Sequence, residues 1–246
     1  VLDENGSGQT PDVVDGLDFI IDNHNKRKSE PGFVGSVINM SWGMPGNSSA
    51  ILNMVQKASA AGIHMVAASG NQGISSCSQT PSNIGGTQGP VISVGSVGFG
   101  SDISSFSNTG TCTDVYAAGE SIISTWTGGD NVINILDGTS MACPHVAGLV
   151  AYLMVEKPEL ASDVKGMKSF IASSALQHAI AGNAEQGDPM LLANNGITGA
   201  DVSGLMGVVK TKRGLDIRID RPSMHKRALN LSGINSAVTE VVDWFR

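Results

Sequence analysis

The chain of 246 residues is 41 % hydrophobic and only 15 % charged, with 31 glycines that follow no period. That composition excludes collagen and wholesale disorder and suffices for one sizeable α/β core. The formal net charge of −7 argues against nucleic acid as a partner, since phosphate backbones need concentrated basic surface, and no window approaches the roughly 18 consecutive apolar residues of a membrane-spanning helix, so no membrane partner is predicted.

The opening stretch VLDENGSG reads as the end of a strand entering a glycine turn, without the basic and apolar regions of a signal peptide. It is the pattern of a chain that starts partway into a domain. QTPDVVDGLDFIIDNHNKR sets Val13, Val14, Leu17, Ile20 and Ile21 at helical spacing, with Thr10 as N-cap and Pro11 at the first helical position. GSVINMS is a short β-branched run, hence a strand; NSSAILNMVQKASAAG returns to the helical period and stops at Gly62; IHMVAAS reads as a second, buried strand. Strands alternating with helices imply a mostly parallel sheet with helical crossovers.

Residues 70–90 form a long loop rich in Gly, Ser, Asn and Pro, a length that marks functional or flexible loops. VISVGSV, SDISSFSNTG, DVYAAG and SIISTW follow as short strands, then a helix from Thr139 to Val155, then ELASDVKGMKSFIASSAL as another amphipathic helix. Residues 1–196 carry 7 Lys and Arg against 17 Asp and Glu, whereas 197–246 carry 8 against 5, which divides the chain into a domain and a basic tail. The tail, with Lys210, Lys212, Arg213, Arg218, Arg221, Lys226 and Arg227, reads as a solvated extension, an interaction segment being the alternative.

Chemistry concentrates in LDGTSMACPHVAG, residues 136–148. A nucleophilic serine needs an exposed oxygen, donors for the developing oxyanion and a base for its proton. Gly138 permits a tight entry, and Ser140 falls at a helix N-terminus, where amides and the helix dipole favour negative charge; Pro144 is tolerated there because it is early in the helix. On its own, a Gly-Thr-Ser is more often a plain helix cap. The longer string, however, closely resembles the active-serine signature of the subtilisin-like serine proteases, and VLDENGSG, VINMSWG and MVAASGNQG match three further segments of that family in order, with SIISTWTGG and GLVAYLM closest to the proteinase K branch.

The resemblance covers residues 1–196. It implies a three-layer subtilisin-like α/β fold lacking its N-terminal portion, with Ser140 as nucleophile and Asn71 with the Ser140 N–H as oxyanion hole. Ser41, Trp42 and Gly43 would pair with an extended peptide substrate, with Trp42 narrowing the subsite for the P4 residue, and Ala67, Ala68, Ser69 and Gly70 would form the facing wall of the P1 pocket. Buried core strands are the plainer reading of both segments. The resemblance also implies structural calcium held by Asp114 and the carbonyls of Pro90 and Ile92, no organic cofactor, a propeptide or protein inhibitor as further partner, and secretion or delivery to a vacuole. A solvated loop aspartate is the alternative for Asp114.

Two family motifs are missing. Neither the Asp-Thr-Gly strand end nor the His-Gly-Thr helix start, which supply the other triad members, occurs in the sequence. Of the five histidines, His145 belongs to the serine motif, His24 lies at a polar helix end and reads as solvated, His64 opens a buried strand, His178 ends a helix and His225 is in the tail. No base can be named, so the chain by itself is expected to have little or no peptidase activity, and a sheet edge left uncovered would favour aggregation. The alternative is a non-catalytic homologue that binds peptides in the retained cleft. Cys77 and Cys112 lie in polar loops while Cys143 lies in the apolar helix, so the first two form the favoured disulfide, three reduced thiols being the alternative. Asn47 and Asn230 satisfy the glycosylation triplet, a frequent chance pattern.

Overall fold

The structure, a computed structural model, describes residues 1–3 and 6–196 and the backbone of 218–219. The basic tail, including His225 and Asn230, otherwise lies outside the described residues. Two compact units are present: Val1–Ile122 with Leu136–Asn195, and Ile123–Ile135 with Gly196–Arg246. In the first, β1 (Val37–Met40), β3 (His64–Ala68), β5 (Ile92–Val97) and β6 (Val115–Ala118) form a sheet in the order β1-β3-β5-β6, parallel throughout. β2 (Met44–Pro45) and β4 (Gln79–Thr80) make a small antiparallel pair. β7 (Ile122–Thr125) and β8 (Val132–Leu136) join β9 (Arg218–Ile219) in a separate sheet.

The parallel sheet is covered on both faces, because successive side chains of a strand point to opposite sides. Val66 and Ala68 of β3, with Ile92, Val94, Val115 and Ala117, meet α3 (Thr139–Glu156) and α4 (Val164–Ser174). Met65 and Ala67, with Ile38 and Met40, meet α1 (Thr10–Arg27) and α2 (Ser49–Ala60). The result is a three-layer α/β/α arrangement, as the alternation of elements predicts. On the side of α3 turned from the sheet, Tyr152 and Val155 stay exposed.

Local signals explain most boundaries, and four differ from the sequence reading. α1 starts at Thr10, and its N-cap is Gln9, without a side-chain cap bond; Thr10 Oγ1 instead faces Met44 Sδ at 4.0 Å. α2 is capped by Ser48, whose hydroxyl accepts from the Ile51 N–H, and stops at Gly62, where φ is +82°, a conformation that suits glycine. SDISSFSNTG is no strand: its side chains bond the backbone directly, Ser107 Oγ accepting from Ser96 N–H while Ser104 and Ser96 hydroxyls meet at 2.8 Å, competing with a ladder. α4 is shorter than predicted, because Asp163 accepts from Gly166 N–H and caps it there. β8 (VINIL) is bounded by turn residues but lacks apolar/polar alternation, and the sequence reading assigns no strand there.

Candidate active site

α3 begins at the carboxyl end of the parallel sheet, where Gly138 turns the chain into the helix. Gly138 has φ of +152°, which calls for glycine, and a Cβ there would crowd Asn71 Nδ2 at 3.3 Å. Its N–H donates to the Gly119 carbonyl at 2.7 Å. Asn71 sits just past β3, exposed. Its Oδ1 accepts from the Thr139 N–H and from the Thr139 hydroxyl, both at 2.8 Å. With that oxygen held by two donors, the amide orientation follows from the bonding pattern, and Nδ2 is left as a donor beside the start of α3.

Ser140 is half-buried, and its hydroxyl donates to the Ser41 carbonyl at 3.2 Å. The reverse bond is equally informative. Pro144, one turn into α3, has no N–H for the Ser140 carbonyl four residues back, and that carbonyl instead accepts from the Ser41 hydroxyl at 2.9 Å. Asn39 Nδ2 donates to the same Ser41 oxygen at 3.0 Å. Thus Pro144 is tolerated through Ser41 rather than through its early position alone, and the end of β1 is tied to the turn that carries Ser140.

Beyond Ser41, Trp42 packs half-buried against the α1/α2 core and Gly43 is exposed. Across from them, Gly70 and Asn71 reach the surface while Ala67 and Ser69 have no accessible surface and Ala68 has 7 %. The Ala67 and Ala68 side chains fill opposite cores, and Ser69 Oγ donates to the Asn108 carbonyl. So the side chains of residues 67–69 serve the sheet, and Gly70 is the member of that set which opens toward the site. Gly70 has φ of +110° and its missing Cβ would collide with Asn108 Nδ2.

These features place a serine hydroxyl at a helix N-terminus beside an oriented amide donor. The peptidase S8, subtilase family, model matches residues 1–205. The chain belongs to the subtilase family. The subtilisin-like serine protease Pen ch 18 of Penicillium rubens is 38 % identical over 207 residues, 80 % of this chain and 40 % of that protein. The subtilase-type proteinase psp3 of Schizosaccharomyces pombe is 35 % identical over 196 residues, 79 % of this chain and 42 % of its own length. A solved cold-adapted subtilisin-like serine proteinase shares 33 % identity at a TM-score of 0.67, covering 78 % of this chain and 63 % of that one. The subtilase chain thus spans about 40 % of those two curated relatives.

Asn108 is the site residue that sequence reasoning missed in this subtilase. Fully buried, it accepts at Oδ1 from the Gln72 and Ile74 N–H groups at 3.0 and 3.1 Å. Its Nδ2 donates to the Ser69 carbonyl at 3.0 Å and to Gln72 Oε1 at 3.2 Å, so it braces the loop that carries Asn71. Its signal, an Asn-Thr-Gly after serines, is indistinguishable from a surface turn. Cys77 and Cys112 form a disulfide, with Cα atoms 5.2 Å apart, and Cys143 is free and buried; desolvation pushes its thiol up to about 12, which makes it unreactive.

The histidines stand elsewhere. His24 is a correction to the sequence reading: it is buried at 6 % exposure, its Nδ1 3.0 Å from Ser36 Oγ and its ring edge-on to Phe33. It continues the Leu17 and Ile21 face of α1, and the helical period outweighs the polarity of its neighbours. His64 Nε2 lies 3.0 Å from the Ala161 carbonyl, and His145 Nδ1 lies 2.8 Å from the Met141 carbonyl. His178 lies beyond α4 with φ of +57°.

At the predicted calcium position, the residues present do not fit the ion. The Asp114 carboxylate is nine-tenths buried, with Oδ2 accepting from the Gly86 and Ser93 N–H groups at 3.0 and 2.8 Å, and Oδ1 3.2 Å from Lys168 Nζ. The facing carbonyls are Gly89 and Val91, not Pro90 and Ile92. Ser93 O accepts from Asp114 N–H on the β6 side and Val94 O from Ser69 N–H on the β3 side; carbonyls alternate along a strand, so Val91 shares the Asp114 side and Ile92 does not. Among the described residues no group of three or more His, Cys, Asp and Glu side chains is placed to hold a metal.

Proposed function

We propose that this chain is the serine-bearing part of a serine endopeptidase that cleaves peptide bonds through an acyl-enzyme on Ser140. The observation that carries the reading is the doubly held Oδ1 of Asn71, which leaves Nδ2 as a fixed donor for an oxyanion formed at Ser140, together with the Ser140 N–H. An extended peptide or protein substrate pairs with Ser41, Trp42 and Gly43, Trp42 restricting bulky P4 groups, with Gly70 on the opposite wall. A propeptide or protein inhibitor binds the same strand edge. The general base and its orienting carboxylate come from residues outside this chain, in keeping with its share of about 40 % of its curated relatives. Support comes from β1, an edge of the four-stranded sheet among the described residues, and from the exposed Tyr152 and Val155 of α3: both mark faces that further chain would cover. The disulfide supports an oxidising compartment, secreted or vacuolar.

One observation favours a second reading, a non-catalytic homologue that binds peptides. The Ser140 hydroxyl donates to the Ser41 carbonyl, a group that takes no proton at neutral pH. Chromogenic peptide hydrolysis separates the two. The longer protein that carries this chain should hydrolyse the peptide and lose that activity on Ser140→Ala, while the 246-residue chain alone stays near background. Robust hydrolysis by the chain alone would remove the need for an external base; a longer protein that binds but never cuts would establish the second reading.

A further inference from the structure

We infer that the ε-ammonium of Lys168 is a built-in cation at the end of β5, occupying by covalent tether the place where the family resemblance puts calcium, so that this part of the fold is held without a metal. Donors and acceptors balance at this ammonium. Lys168 Nζ meets the Gly89 carbonyl at 2.8 Å, the Val91 carbonyl at 2.6 Å and Asp114 Oδ1 at 3.2 Å. An ammonium has three N–H donors and no acceptor, so its hydrogen-bonding capacity is met in full by these three oxygens. Calcium, by contrast, takes six to eight oxygens at roughly 2.3–2.6 Å.

Both partners are buried, and their charges cancel. The Lys168 and Asp114 side chains retain 15 % and 9 % of their exposure. Desolvation raises the Asp114 carboxyl and lowers the Lys168 ammonium from their ordinary values, and each is drawn back by the other. A second cation entering here would meet a carboxylate already paired with an ammonium and would have to displace that ammonium from three acceptors. Lys168 lies on α4 between Met167 and Ile171, both buried in the core, so the helix delivers the charge along a fixed line. Gly86, Gly89 and Val91 belong to the approach to β5, and Asp114 directly precedes β6; one ammonium therefore ties α4 to two adjacent strands and closes the end of the long 70–90 loop.

The test is thermal unfolding of the longer protein that carries this chain, followed in millimolar calcium and in excess chelator, for the wild type, Lys168→Ala and Lys168→Ala with Asp114→Asn. The wild type should unfold at the same temperature in both solutions. Lys168→Ala should unfold lower in chelator, by on the order of 10 °C, and regain part of the loss with calcium, because the freed carboxylate and carbonyls then accept the ion; adding Asp114→Asn should abolish that rescue. A wild type whose unfolding temperature falls by several degrees in chelator would overturn the inference, as would a Lys168→Ala variant as stable as the wild type in chelator. Should Lys168→Ala not fold in either solution, the wild-type comparison alone decides.

Discussion

At the scale of single residues, Thr139 and Asn71 divide one task. Thr139 spends its N–H and its hydroxyl proton on Asn71 Oδ1 while its oxygen accepts from the Gly70 N–H at 3.2 Å, so the amide proposed as the oxyanion donor is held in place without a ligand. Preorganisation of this kind acts on the transition state, where the oxyanion exists, and leaves ground-state binding nearly untouched. Asn71→Ala in the active protein should therefore lower kcat by about 10²–10³ with little change in KM, a range established for this donor in subtilisin itself. Thr139→Val, which removes the hydroxyl and keeps the shape, should lower kcat less and spare KM likewise. A loss confined to KM in steady-state peptide kinetics would assign Asn71 to substrate binding instead. Ser41 shows how a neighbouring residue absorbs a local fault: its hydroxyl fills the vacancy that Pro144 creates at the Ser140 carbonyl.

At the scale of elements, two buried histidines tie helices and strands to their surroundings. His24 joins α1 to the segment entering β1 through Ser36, and His64 joins the start of β3 to the Ala161 carbonyl ahead of α4. Burial is the first cause that lowers both from their ordinary value; Lys28 lowers His24 further, while carbonyls of Ala61 beside His24, and of Ala161 and Leu160 with Asp163 beside His64, pull the other way. Both rings thus favour the neutral form in the fold and take up a proton more readily when the chain unfolds. Stability from this source is complete above about pH 6.5, the unfolded value, and declines as pH falls from there toward each folded value. Unfolding midpoints measured from pH 8 down to pH 5 should fall over the lower part of that range, and the fall should flatten in His64→Gln; a midpoint that rises on acidification would contradict the assignment. The disulfide adds a restraint of another sort. Closing the 35-residue separation between Cys77 and Cys112 stabilises by about 4 kcal/mol on chain-entropy grounds.

For the molecule as a whole, what could be read in advance follows from how local each signal is. α2 was legible because its apolar period and its Gly62 stop coincide in one short segment; its Ser48 cap emerged only in the structure. β3 was legible as a continuous apolar run, which a doubly covered parallel strand requires. SDISSFSNTG was not, because serine and asparagine side chains that bond distant backbone look the same in sequence as those of an ordinary turn. For the same reason Asn108 escaped notice, although it holds the loop of Asn71 through four bonds. The Lys168 pairing joins residues far apart in sequence, and only packing of α4 on the sheet brings them together. Whether Ser140 acts as a nucleophile is read directly by a fluorophosphonate probe. Applied to the longer protein and followed by peptide mapping, it should place a single adduct on Ser140, lost in Ser140→Ala and slowed in Asn71→Ala. A protein that cleaves peptides yet carries the adduct on another residue, or carries none, would contradict that role.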